Sequence, residues 1–483
     1  MSHLPCASKK KNHVPHPALS DHVVEEIFAR LPAKMVFRLR CLSRAWSATL
    51  SSDGFEDLHL RAANLHGGPR IMCMDDDDDY GGTRKGLASS LDRPGGAPFL
   101  DAPRIITGYC YPPLITPDMH DHPRYKRAPH LTTQPCRGLV ILEAVEARLF
   151  HVFNPSTGQI ATLPEGRTTG PRTHYGPYYA YFGLGYDAHT CKHKVVRVHY
   201  RGRAGRLPLS TGTGCEIYDI NSANSEGSWR TVIGAKPTCW IDSYSRSVFM
   251  QGHCYWLAHR KLCPREDLIL LNFSIRNETF GIVSPPPGLR DDSRYHHSNY
   301  DLTELNGRLC IFRQFSRWHE QYDVWLLNRI GSDTDWHLHC RIDLARAFPQ
   351  LTKFTFMPYN DNEKHGSSMA PLAIVDDGRR ILLTEHDTPT AIYAYTTDTG
   401  YTESLIDMSF RNVNLAAVYE ESIASPGCQP CEEIALISSS STQALLAILR
   451  LLPEHTRANL KLVCRSWRCM VESDIWRCIK HTY

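Results

Sequence analysis

The first part of the chain carries an apolar stripe with the period of a helix. Its members stand four residues apart: Val23, Ile27 and Leu31. A stripe at i, i+4 and i+8 is typical of an amphipathic helix. Ser20 precedes the stripe where a helix cap would stand, and Pro32 predicts the end of the helix.

Two further short helices are predicted before residue 60. One runs through Met35, Val36 and Leu39. The other carries residues at spacings of three and four: Leu42, Ala45, Trp46, Thr49 and Leu50. Three short helices make a core too small to be stable by itself. The pattern therefore predicts a module that covers part of its apolar surface with a partner.

From residue 131 to residue 423 the pattern changes to short apolar strands separated by turn residues. The clearest stretch is "GLVILEAVEARLFHVFNPSTGQIATLP", residues 138–164. β-Branched and aromatic residues fill its runs, and Asn-Pro-Ser-Thr-Gly is a turn signal. A similar unit is visible five times, and four copies are anchored at Gly138, Gly183, Gly252 and Gly307. Repeats of this length favour a β-propeller over a sandwich.

The fold class predicted from these patterns is multidomain α plus all-β. The segments are a disordered tail (1–17), a three-helix module (18–62), an irregular stretch that is a candidate degenerate first blade (63–130), a β-propeller-like domain (131–424), a linker (425–441) and a helical segment (442–483). We expect "LAAVYEESI", residues 415–423, to supply the strand that closes the ring.

The end of the chain repeats its beginning. "LPEHTRANLKLVCRSWRCMVES" at 452–473 aligns with "LPAKMVFRLRCLSRAWSATLSS" at 31–52, at an offset of 421 residues. The matched pairs include Leu31 with Leu452, Pro32 with Pro453, Leu39 with Leu460, and Trp46 with Trp467. These shared spacings favour a second copy of the helical module over a generic amphipathic tail.

Composition describes a globular protein without a strong preference for an anionic partner. Hydrophobic residues make up 42% and charged residues 22% of 483 positions, and the net charge is +3. This charge gives no reason to expect nucleic acid or an acidic membrane as the main partner. The 17 cysteines have no disulfide spacing, and we find neither a secretory signal nor a membrane-spanning apolar run. We therefore expect the cytoplasm, the nucleus or both.

Residues 19–60 resemble an F-box without a gap. The Leu-Pro pair, the apolar stripes and a tryptophan at a fixed offset carry the resemblance, although Leu19-Ser20 replaces the usual opening Leu-Pro. It implies docking on the Skp-family adaptor of a cullin-based ubiquitin ligase. The implied core and adaptor-contact positions are Leu19, Val23, Ile27, Leu31, Pro32, Leu39, Leu42 and Trp46.

Most of residues 131–423 resembles the F-box-associated domain of plants, which is related in architecture to kelch-type propellers. The motifs that carry this resemblance are "VFNPSTGQIATLP", "GLGYD", "EIYD", "CYWLA" and "LNGRLCIF". It implies a non-catalytic substrate-recognition subunit without a cofactor, in which this domain binds a target protein.

The C-terminal repeat resembles a second, partial F-box. Its implied adaptor-contact positions are Ile448, Leu452, Pro453, Leu460, Val463 and Trp467. Two hypotheses stay open: a working or vestigial second docking module, or the start of a neighbouring F-box gene joined by a fusion. Sequencing of full-length transcripts separates them.

Other candidate chemistry is weak. Cys428 and Cys431 form a C-x-x-C pair that lacks two further zinc ligands, and "HTCKH" at 189–193 falls in a predicted polar turn. We find no catalytic constellation and expect no metal. Two rival functions remain: a propeller scaffold without ubiquitin transfer, and a metal-dependent propeller enzyme.

Overall fold

The computed structural model describes residues 20–40, 43–65, 70–75, 108–109, 130–144, 149–166, 179–200, 213–220, 228–242, 246–258, 270–286, 300–313, 321–329, 335–348, 369–385, 391–407 and 413–427. The chain divides into two compact units. We call the first the helical unit, described within residues 20–59, and the second the β unit, described within residues 60–427. The predicted tail (1–17) and C-terminal helical segment (442–483) lie outside the described residues.

The described part of the helical unit is built from four helices. They are α1 (Asp21–Ala29), α2 (Ala33–Leu39), α3 (Arg44–Thr49) and α4 (Asp53–Asn64), whose last turn belongs to the β unit. The sequence pattern predicted the first three and missed α4. Ser52 precedes α4, and its Oγ accepts a hydrogen bond from the Phe55 N–H at 3.2 Å. Ser20 takes the N-cap position of α1, but its side chain makes no capping hydrogen bond, so that part of the prediction was wrong.

Five four-stranded antiparallel sheets follow one another along the β unit, and we call them blades A to E. Blade A holds β3 (His130–Leu131), β4 (Val140–Ala144), β5 (Leu149–Phe153) and β6 (Ile160–Thr162). Blade B holds β7 (Tyr179–Asp187), β8 (Lys192–Tyr200), β9 (Gly214–Asp219) and β10 (Arg230–Thr231). Blade C holds β11 (Val248–Met250), β12 (His253–Leu257), β13 (Leu270–Ser274) and β14 (Phe280–Val283). Blade D holds β15 (Tyr300–Leu305), β16 (Arg308–Arg313), β17 (Gln321–Arg329) and β18 (Asp335–Asp343), followed by helix α5 (Leu344–Ala347). Blade E holds β19 (Met369–Val375), β20 (Arg380–Glu385), β21 (Ala391–Thr396) and β22 (Thr402–Asp407).

A three-stranded closing sheet joins the two ends of the β unit. It consists of β1 (Arg70–Asp75), β2 (Gly108–Tyr109) and β23 (Val413–Tyr419). β23 runs antiparallel to β1, with Arg70 opposite Tyr419 and Met74 opposite Leu415, while β2 runs parallel to β1. The expected closing strand is therefore confirmed over residues 415–419.

One apolar cluster fills each junction between neighbouring sheets. The cluster between blades B and C includes Val196 and Trp256, and the one between the closing sheet and blade A includes Met72 and Phe153. Further clusters join A to B, C to D, D to E, and E to the closing sheet. Because this order returns to its start, the sheets form a ring, and the predicted propeller-like architecture is confirmed.

Blades A, C and E repeat one turn between their third and fourth strands. It begins at Asn154, Ser274 and Thr396, respectively. In each copy the N–H of the first residue donates to the carbonyl of the sixth, and the N–H of the fifth donates to the carbonyl of the first, at 2.8–3.0 Å. The Asn-Pro-Ser-Thr-Gly signal of the sequence is the blade A copy, so this turn is a real structural repeat.

Two of the sequence motifs meet at the junction of blades B and C. Gly183, in "GLGYD", lies within β7, and a Cβ added there would come within 2.6 Å of Trp256 Cζ2. Trp256, in "CYWLA", also donates its indole N–H to the Phe182 carbonyl at 3.1 Å. The glycine therefore serves close packing between blades, whereas Gly138, Gly252 and Gly307 occupy turns with positive φ. Within the described ranges, no helix combines the length and apolar composition needed to cross a membrane.

Candidate functional site

Helix α1 presents apolar residues on two faces. One face is buried and holds Val24 and Phe28. The other carries the stripe that the sequence singled out, where Val23 is 41% exposed and Ile27 is half-buried. A helix whose apolar residues extend beyond its core-facing side leaves an apolar surface, and such surfaces often mark partner contacts.

The Leu31–Pro32 corner joins α1 to α2 at the C-terminal end of this stripe. Pro32 is exposed, and its carbonyl accepts hydrogen bonds from the N–H groups of Met35 at 2.8 Å and Val36 at 3.1 Å. His59 of α4 donates from Nε2 to the half-buried Leu31 carbonyl at 2.9 Å. That bond satisfies a carbonyl at the C-terminal end of α1, where no helical N–H follows to bond it.

Trp46 of α3 is half-buried and has a structural contact of its own. Its ring meets the Phe28 ring edge-on, with centroids 5.1 Å apart and planes at 64°. Ser43 caps α3, because its Oγ accepts the Trp46 N–H at 3.1 Å. Trp46 therefore links α3 to the buried face of α1.

Leu39 is fully buried, so it belongs to the core and offers no surface for direct contact. Leu19 and Leu42 lie outside the described residues. So do all members of the second predicted set: Ile448, Leu452, Pro453, Leu460, Val463 and Trp467.

Four of the predicted contact residues lie at or near the surface of α1 and the corner that follows it. We call the surface that they form the apolar stripe: Val23, Ile27, Leu31 and Pro32. An exposed ion pair between Glu26 and Arg30 at 2.6 Å lies on the same helix. Because its four side chains are apolar and only partly covered, the stripe suits contact with an apolar face of a partner. Sequence reasoning missed His59, because a buried histidine that bonds a corner 28 residues away leaves no local signal.

The β unit has a small cavity beside strands β15, β19 and β23. Its polar lining residues are Gln134, Arg246, Asp301, Thr303 and Glu304, and its apolar lining includes Phe312, Ala370 and Ala417. Thr133 and Ser247 form a parallel bridge that joins blade A to the start of blade C, and the Gln134 N–H donates to the Ser247 carbonyl at 2.8 Å. The lining thus mixes both signs of charge with apolar groups.

The "HTCKH" motif forms the β7–β8 hairpin, as the predicted polar turn required. His189 is exposed in the turn, whereas His193 is buried in β8. Burial and the positive Arg137 lower the pKa of His193 to about 3. Among the described residues, no group of three His, Cys, Asp or Glu is placed to hold a metal ion. Cys428 and Cys431 lie outside those residues.

Comparison with known proteins gives three family matches along the chain. The F-box domain model matches residues 17–58, the F-box associated beta propeller domain model matches residues 118–425, and an F-box-like model matches residues 442–482. The third match confirms that the C-terminal repeat resembles an F-box.

Similar proteins occur in Arabidopsis thaliana. F-box protein At1g11270 is 25% identical over an alignment that covers 63% of this chain and 85% of the relative. F-box protein CPR1 is 23% identical over 76% of this chain and 79% of the relative.

Proposed function

Because the chain belongs to the F-box proteins that carry an F-box associated β-propeller domain, we propose that it selects target proteins for a cullin-based ubiquitin ligase. In this proposal the helical unit docks on a Skp-family adaptor, and the β unit binds the target. The chain itself performs no catalysis. A rigid protein with two binding surfaces raises the effective concentration of target lysines near the ligase.

The apolar stripe is the observation that carries the proposal. Val24 and Phe28 already supply the buried face of α1, so folding of the helical unit does not account for an exposed Val23. Docking on an apolar partner face would remove Val23, Ile27 and the Leu31–Pro32 corner from water. Trp46 and Leu39 would support this surface from beneath.

The adaptor contact is tested with Val23→Asp in the full chain. We expect binding to a recombinant plant Skp-family adaptor to weaken at least tenfold, because a buried charge opposite an apolar face is costly. The double variant Leu31→Ala with Pro32→Ala should weaken binding as well. The matched control is Ile233→Asp, since Ile233 is 98% exposed and lies in the β unit. Unchanged binding by both helical-unit variants would reject the stripe as the docking surface.

The C-terminal repeat supports a second proposal, that residues 442–482 are a second adaptor-docking module. The F-box-like family match and the shared Leu-Pro, Leu and Trp spacings support it. The fusion hypothesis makes a different prediction, because transcripts that stop before residue 431 would remove this module from the protein.

Two rival functions have direct tests. A scaffold without ubiquitin transfer would bind partners through the β unit but bind no Skp-family adaptor. A propeller enzyme would purify with stoichiometric copper or zinc. We expect adaptor binding, and we expect neither metal in stoichiometric amount.

A further inference from the structure

The segment that follows β23 is buried although it has no regular secondary structure. We call residues 420–427 the closing segment. Glu421, Ser422, Ile423 and Ala424 are each at most 5% exposed. Buried backbone of this kind requires hydrogen-bond partners from elsewhere in the molecule.

The first partners of the closing segment lie near the start of the β unit. The Glu421 N–H donates to Asn64 Oδ1 at 2.8 Å, and Asn64 Nδ2 donates back to the Glu421 carbonyl at 2.9 Å. The Glu421 carboxylate also forms an ion pair with Arg70 of β1. Residues near the start of the β unit therefore bind the segment that follows its last strand.

The second partner is Asn154 at the repeated turn of blade A. Asn154 Nδ2 donates to the Ser422 carbonyl at 3.0 Å and to the Ala424 carbonyl at 2.7 Å. Its Oδ1 accepts the N–H groups of Ser156 at 2.8 Å and Thr157 at 3.2 Å. One buried amide thus performs two tasks, because its oxygen caps the turn and its nitrogen binds the closing segment.

Close packing completes these contacts. A Cβ added to Gly138 would lie 2.2 Å from Ser422 Cβ, and one added to Gly427 would lie 3.1 Å from Ala161 of β6. Ala424 joins the apolar cluster between blades A and B. The segment therefore reaches from the closing sheet across blade A to the next junction of the ring.

We propose that residues 420–427 hold the ring of the β unit closed after β23, and that Asn154 is the residue that binds them in place. The proposal concerns the β unit alone and does not depend on adaptor docking. It also explains why the turn of blade A begins with Asn, whereas the same turn begins with Ser in blade C and with Thr in blade E.

The test uses Asn154→Asp in the full chain, with hydrogen exchange of backbone amides as the readout. Aspartate keeps the oxygen that caps the turn but loses both bonds donated to the closing segment, and it places a negative charge against two carbonyls. We expect amide exchange in residues 413–427 and in β1 to become at least tenfold faster, while the turn at 154–159 keeps its protection. Loss of protection confined to the turn, or no change at all, would overturn the proposal.

A milder variant and a matched control keep this test decisive if Asn154→Asp folds poorly. Ser156→Ala removes only the acceptor for the Ser422 N–H, a bond of 3.1 Å, and should loosen the same residues to a smaller degree. Ser274→Ala is the control, because the Ser274 hydroxyl caps the equivalent turn by accepting the Asn277 N–H at 3.2 Å. This control should speed amide exchange in blade C and leave amide exchange in residues 413–427 unchanged.

Discussion

At the scale of single residues, the corner between α1 and α2 depends on a side chain from α4. The Leu31 carbonyl lies after the last residue of α1, and the Met35 N–H, four residues on, donates to the Pro32 carbonyl instead. His59 supplies the donor at 2.9 Å. The position of the Leu31–Pro32 corner therefore depends on a residue that is itself fully buried.

Replacing His59 tests this dependence. We expect His59→Ala to destabilise the helical unit by about 1–3 kcal/mol, the typical cost of leaving one buried hydrogen-bonding group unsatisfied. His59→Gln retains a donor and should recover part of that loss. Hydrogen exchange of residues 27–40 measures the effect. Equal protection in wild type and His59→Ala would show that the bond does not hold the corner.

Buried His193 makes the stability of the β unit depend on pH. Its folded pKa of about 3 lies well below the value near 6.5 of an unfolded histidine. Between those values the unfolded chain binds a proton that the folded chain does not, so stability falls as pH falls from about 6.5 toward 3. The slope from this one group reaches about 1.4 kcal/mol per pH unit.

Two histidines of the β7–β8 hairpin, buried His193 and exposed His189, provide a matched pair of variants to test this. We expect His193→Gln to flatten the fall of the thermal midpoint between pH 6.5 and 4.5, whereas His189→Gln, in the exposed turn, should leave it unchanged. Glu278 affects stability only at lower pH. Its hydrogen bond to Arg230 lowers its pKa, so the stability that its charged form provides is lost only as pH falls below about 4.5. Identical pH profiles for both histidine variants would contradict this assignment.

At the scale of elements, tryptophan side chains tie neighbouring blades together. Trp229, beside β10, donates its indole N–H to the Pro164 carbonyl after β6 at 2.7 Å. Trp336 of β18 donates in the same way to the Ser284 carbonyl after β14 at 2.9 Å. In both cases the outermost strand of one blade reaches back to the preceding blade. These bonds satisfy carbonyls in connections that belong to no sheet.

The junction of blades B and C gives a sharper test, because Gly183 and Trp256 meet directly. We expect Gly183→Ala to destabilise the β unit by about 1–3 kcal/mol, since the added Cβ forces the Trp256 ring to move. Trp256→Phe removes the crowded atoms together with the bond to Phe182. A double-mutant cycle, read by thermal unfolding, should therefore show that the two changes together cost less than their sum. Additive losses would mean that the two residues are not coupled.

The same elements show how far the sequence could predict the structure. Strand-turn repeats predicted the ring, because runs of β-branched and aromatic residues and turn signals are local properties of the chain. The sequence shows apolar residues on two faces of α1. It does not show which face is buried, because that depends on packing against helices α2 to α4. Asn154 was recognised as a turn residue. Its hold on the closing segment was not, because its partners lie 268 and 270 residues away.

At the scale of the whole molecule, the two F-box matches differ in charge. Residues 17–58 contain five Lys or Arg against six Asp or Glu, whereas residues 442–482 contain seven against three. The first copy is therefore nearly neutral and the second is clearly basic. Two copies with the same apolar spacing but different charge should respond differently to salt, because screening weakens contacts between charged surfaces more than apolar contacts.

This difference allows the second docking proposal to be tested in the full chain. If both copies dock, the wild-type chain should bind two Skp-family adaptors, and light scattering of the complex reports that ratio. Val23→Asp should leave one adaptor bound through the second copy, with an affinity that changes markedly as salt rises from about 0.05 to 0.5 M. Leu452→Ala with Pro453→Ala should instead leave one adaptor bound with little salt dependence. A ratio of one adaptor per wild-type chain, abolished by Val23→Asp, would reject the second module and leave the N-terminal stripe as the docking surface.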